Sequence, residues 1–67
     1  MTRVTINGEV REIADQTTVA QLLTQLELND QRVAVEVNLE IVPHQTHHQF
    51  ILNEGDELEV VTLVGGG

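Results

Sequence analysis

Apolar and polar positions alternate through residues 2–7, with Val4 and Ile6 on one side and Arg3 and Thr5 on the other. A period of two is the pattern of a strand with one buried face. Asn7-Gly8 follows, a pair suited to the positive-φ positions of a hairpin turn. A strict two-residue turn sets Ile6 opposite Glu9, apolar against charged. One extra residue sets Ile6 opposite Val10 and keeps one apolar face, so a bulged turn is expected, with the second strand over 9–13. Asp15-Gln16-Thr17-Thr18 breaks the alternation. Thr18 with Gln21 forms a capping box. Val19, Leu22, Leu23 and Leu26 then recur at i, i+3, i+4 and i+7, the stripe of a short helix that Asn29-Asp30 closes. A helix so short needs packing on a sheet to persist.

Residues 32–38 form the clearest strand, with Val33, Val35 and Val37 inward and Ala34 and Glu36 outward. Ile41-Val42 is a short strand stopped by Pro43. Residues 44–49 are polar and irregular, Phe50 and Leu52 return to the core, residues 53–56 make a turn, and 57–64 form the last strand. The opening hairpin and the helix crossing place the last strand centrally, beside the first, in a mixed sheet of four to five strands. The expected class is α+β, the β-grasp or ubiquitin-like architecture. Its domain covers 1–64 and a flexible Gly-Gly-Gly tail covers 65–67.

Composition narrows the chemistry. Cysteine is absent, which excludes disulfides, zinc–thiolate sites and thiol catalysis. Phe50 is the lone aromatic, so no stacking platform for single-stranded nucleic acid exists. The net charge of −8 sets eleven acids against Arg3, Arg11 and Arg32, with no lysine. Phosphate-backbone binding needs clustered cations, so no nucleic acid is expected and a basic protein partner is favoured. No apolar run approaches the ~18–20 residues of a membrane span, and a signal-peptide pattern is missing, so a cytoplasmic chain, monomeric alone, is expected. Serine is absent, and no catalytic constellation or phosphate loop is visible. His44, His47 and His48 have the spacing of metal ligands if helical, but after Pro43 they read as a solvated loop with no metal.

The ending carries the chemical signal. Gly65-Gly66-Gly67 follows an apolar strand directly. At ordinary usage, three glycines at a chosen position arise about three times in ten thousand. Lacking Cβ atoms, they thread a channel that any side chain would block. The working group is then the carboxylate of Gly67, and Gly65 and Gly66 supply about 10 Å of reach with it. In the last strand, Leu58 and Val60 facing the helix leaves Val61 and Leu63 outward beside the tail. They form an expected docking spot rimmed by Glu57 and Glu59.

Several stretches resemble the ThiS-type sulfur carriers of thiamine biosynthesis: Thr18-Val19-Ala20-Gln21-Leu22-Leu23, Val33-Ala34-Val35-Glu36-Val37-Asn38, Glu40-Ile41-Val42-Pro43, Gly55-Asp56-Glu57-Leu58-Glu59-Val60-Val61 and Val64-Gly65-Gly66-Gly67. They span nearly the whole chain in order. The resemblance implies a carrier rather than an enzyme, binding no cofactor itself. An activating partner resembling ubiquitin-activating enzymes uses ATP to adenylate Gly67. A persulfide donor enzyme supplies sulfur and AMP leaves. The resulting thiocarboxylate serves a thiazole synthase. Splitting one hard displacement on a carboxylate into two easier ones is the logic of covalent activation. Two positions depart from the family. Three glycines stand where two are usual, so removal of Gly67 is the alternative to its being the reacting residue. Leu39 stands where Gly or a polar residue is common, and is either tolerated or a partner contact. Carriers for molybdopterin, tRNA thiolation or amino-acid biosynthesis share the mechanism. A ubiquitin-like modifier and a non-covalent interaction domain are the rivals from other classes.

Overall fold

The structure is a computed structural model and describes residues 1–63. Strands β1 (Thr2–Ile6), β2 (Glu9–Ile13), β3 (Val33–Val37), β4 (Glu40–Val42) and β5 (Glu57–Thr62) form one sheet, ordered β2-β1-β5-β3-β4. β5 runs parallel to β1 and antiparallel to β3, and is therefore central. Helix α1 (Val19–Gln25) supplies Val19, Leu22 and Leu23 to the core. They meet Val4, Ile6, Val33, Val35, Val37, Leu58 and Val60 of the sheet, together with Leu52. The β-grasp order expected from the pattern is the one observed.

The first turn is a correction. Ile6 pairs with Glu9 across a two-residue turn, with Asn7 at φ 50° and Gly8 at φ 85°, so the expected bulge is absent. The discordant pair is tolerated because β2 is an edge strand, of which only Ile13 is buried. No core lies over Glu9 or Arg11 to exclude charge. The turn is also held from the side. Asn7 Nδ2 donates to the Val60 carbonyl (3.1 Å), and Val60 N–H donates to Asn7 Oδ1 (2.9 Å). A carboxamide thus replaces the peptide group that β1 no longer offers to β5.

Helix α1 begins as expected and ends earlier. The Thr18–Gln21 capping box is formed in both directions. Val19 N–H donates to the Phe50 carbonyl and Ala20 N–H to the His47 carbonyl, so the irregular segment satisfies helix donors that would otherwise lack partners. At the other end Glu27 takes φ 60°, its N–H donating to Thr24 O and that of Leu28 to Leu23 O. This is a Schellman closure, ahead of the Asn29-Asp30 stop that the sequence suggested. Asn29 instead caps a 3-10 turn over Asp30–Arg32.

The histidine segment is the second correction. His47 is 1% exposed, not solvated. Its Nε2–H donates to the Val42 carbonyl (3.0 Å), and its Nδ1 is hydrogen-bonded to the Asp30 carboxylate. His44 Nε2–H donates to the Val33 carbonyl (2.8 Å). These side chains staple the 44–46 turn to β3, β4 and the turn before β3. Among the described residues, no cluster of metal-ligating groups is present.

Candidate functional site

Alternation along β5 decides what surrounds the route to the tail. Leu58 and Val60 are buried under α1, while Glu57, Glu59 and Val61 point to the opposite, uncovered face. Leu63 N–H donates to the Arg32 carbonyl (2.7 Å), carrying the β5–β3 pairing one residue past the strand. Val61 is 55% exposed and Leu63 45%. Gly65, Gly66 and Gly67 lie outside the described residues.

Strand register assembles the rest of this face. Val61 pairs with Ala34, Glu59 with Glu36, and Glu36 in turn with Ile41. A shallow groove of about 180 Å³ beside Leu63 is lined by Ala34, Ile41, Pro43 and His44 among others. Ala34, Ile41 and Pro43 belong to the candidate docking face and were missed by reading β5 alone. The signal was available: a two-residue turn at Asn38-Leu39 pairs Val37 with Glu40, which turns Ile41 outward.

Glu57 lies elsewhere than expected. It begins β5, at the end of the sheet away from Leu63, about 20 Å along a strand rising ~3.3 Å per residue. There it meets the β3–β4 turn. Asn38 and Leu39 have φ 53° and 71°, and Asn38 Oδ1 accepts from Glu57 N–H (3.1 Å). Leu39 is 88% exposed and, with Glu36, Asn38, Glu57 and Glu59, lines a second groove of about 80 Å³. The uncovered face therefore has an apolar zone at Val61 and Leu63 and an acidic zone with Leu39 at its far end. The ion pairs among the described residues are Met1–Asp15, Arg3–Glu12 and His47–Asp30, so none neutralises Glu36, Glu57 or Glu59.

Such a surface offers a partner protein exposed aliphatics and carboxylates without an ion-pair partner among the described residues. It can be held by another protein while the segment after β5 is handled. The class is thus a ubiquitin-like β-grasp domain whose central strand leads to a glycine tail. The chain belongs to the ThiS family, whose model matches residues 4–67. A curated relative in Bacillus subtilis, a sulfur carrier protein ThiS, is 36% identical, covering 92% of this chain and 96% of that one. A thiazole synthase of Paramagnetospirillum magneticum is 46% identical over 97% of this chain, which spans only 20% of that protein's length. The crystal structure of a thiamine biosynthesis protein (ThiS) from Geobacter metallireducens superposes with a TM-score of 0.84 at 28% identity, covering 98% of this chain and 100% of that one. Among the described residues, no helix is long and apolar enough to cross a membrane.

Proposed function

We propose that this chain is the sulfur carrier for thiazole formation in thiamine biosynthesis, a protein cosubstrate acted on by partner enzymes. The observation that carries the reading is the central strand β5, which leads out of the core at Leu63 toward Gly65-Gly66-Gly67 beside an uncovered apolar face. Membership of the ThiS family and the names of its curated relatives support it. The reacting group is the carboxylate of Gly67. An ATP-dependent activating enzyme joins it to AMP with release of pyrophosphate. The terminal sulfur of a persulfide enzyme then displaces AMP to form an acyl disulfide, and a thiol reductant cleaves its S–S bond, leaving the thiocarboxylate on Gly67 and the donor sulfur in a new disulfide. Gly65 and Gly66 supply a slim reach into the active sites concerned.

Partner selection follows from the face. Val61 and Leu63, with Ala34 and Ile41, offer an apolar contact next to the tail. Glu57, Glu59 and Leu39 extend it toward a basic partner. A thiazole synthase is the acceptor enzyme on this reading, because a relative bearing that name contains this module within one longer chain. The test is intact-protein mass spectrometry after incubation with ATP, an activating enzyme and a persulfide donor. The expected product shows one oxygen replaced by sulfur, located to Gly67 and lost on its deletion. An unmodified chain, with the activating enzyme proven competent on another carrier, overturns the reading.

A further inference from the structure

Two turns of this chain have the same geometry and different residues. Asn7-Gly8 and Asn38-Leu39 each join antiparallel strands through two positive-φ positions. In each, the asparagine side chain reaches a backbone N–H of β5: Val60 from Asn7, Glu57 from Asn38. The first turn uses glycine at the second position, the residue this turn favours. The second uses Leu39, whose branched side chain opposes the left-handed backbone. It is also 88% exposed, so burial within the domain offers no compensation. Beside it, Glu36 and Glu59 face each other across β3 and β5. Like charges at directly opposed positions are unfavourable as well. Two features that weaken the free fold therefore line one groove. Where local rules are broken together, the compensation is sought in function.

We infer that Leu39 is a specificity anchor of the docking face, inserted into an apolar socket of the thiazole synthase whose rim presents arginine or lysine to Glu36, Glu57 and Glu59. This rests on the carrier reading above. Charge complementarity fixes the occupant's chemistry: three acids without an internal counter-ion accept cations that relieve the Glu36–Glu59 repulsion. Position explains selectivity. Val61 and Leu63 are the described residues nearest the tail in sequence, whereas the Leu39 end lies about 20 Å away along β5, where one partner can make contact and another need not.

The decisive variant is Leu39→Gly, which matches the first turn. A purely structural leucine loses stability on truncation. Here the melting temperature is expected to rise by about 2–8 °C, while the dissociation constant for thiazole synthase rises about tenfold or more. Glu59→Gln is expected to weaken the same complex and to reduce its salt dependence. Titrations use purified thiazole synthase and, separately, the activating enzyme. Unchanged affinity for thiazole synthase, weakening confined to the activating enzyme, or a fall in melting temperature overturns the inference. Thiocarboxylate formation on the wild-type chain, read by mass, keeps that failure distinct from failure of the carrier reading.

Discussion

At the scale of single residues, the chain relies on polar side chains standing in for backbone. Asn7 gives β5 both a donor and an acceptor where β1 has ended, and Asn38 repeats half of that device on the other flank. Replacing Asn7 by glycine keeps the positive φ and removes two hydrogen bonds, so a loss of about 1–3 kcal/mol is expected. Urea unfolding measures it, and faster amide exchange at Val60 locates it. Asp15 bears on acid behaviour. The Thr2 hydroxyl, then the N-terminal ammonium, hold its carboxyl below the ordinary value of 3.8. A lowered carboxylate contributes stability that is complete above the unfolded value and lost as pH falls through the folded one. Asp15→Asn is therefore expected to flatten the stability profile below about pH 4, and a pH series of melting curves checks this. None of these roles is visible in the periodicity. An asparagine before glycine announces a turn, not a clamp on a strand fifty residues away.

At the scale of elements, the helix and the histidine segment are one unit. Seven residues of helix are too few to persist alone. Its first donors are met by Thr18, Phe50 and His47, and its stripe by the sheet. The stripe, the capping box and every strand were legible because each follows a period or a fixed local offset. His47 was not, because H-x-x-H-H has no period and histidine reads as polar. Its burial is decided by Asp30 and Val42, which arrive from other elements. The bulge was misjudged for a related reason: concordance of faces matters only where a core lies above them, and β2 is an edge. His47→Ala leaves the Val42 carbonyl and the Asp30 carboxylate without a buried partner and opens a cavity, at a cost of about 2–4 kcal/mol. Thr18→Ala removes one cap acceptor, at a cost of about 1 kcal/mol. A domain of this size holds only about 3–10 kcal/mol in all. Thermal melts should therefore show His47→Ala lowered by about 10–30 °C and Thr18→Ala by several degrees.

At the scale of the whole molecule, surface charge and sheet register together make the candidate site. The excess of acid was plain in the sequence, and so was the outward direction of Val61 and Leu63. What the sequence hid was adjacency between strands distant in the chain: Glu36 beside Glu59 and Leu39 beside Glu57 depend on which strands pair and in what register. That adjacency divides the labour on the face. On the proposed carrier reading, a net charge of −8 acts at a distance, drawing a basic partner toward the molecule and raising the rate of encounter. The aliphatics act only in contact, excluding water and setting how long the complex lasts. Stopped-flow association with a basic partner should separate the two. Raising ionic strength from about 0.02 to 0.5 M shortens the Debye length several-fold, so the association rate is expected to fall about tenfold or more while dissociation changes little. Serine at both Val61 and Leu63 should do the reverse, leaving the salt-dependent association rate near wild type and speeding dissociation. The double variant should stay folded with a modest fall in melting temperature, since each side chain is only about half exposed. Equal salt sensitivity of both rates, or unchanged dissociation of the double variant, would remove these side chains from the interface and move docking to another face of the sheet.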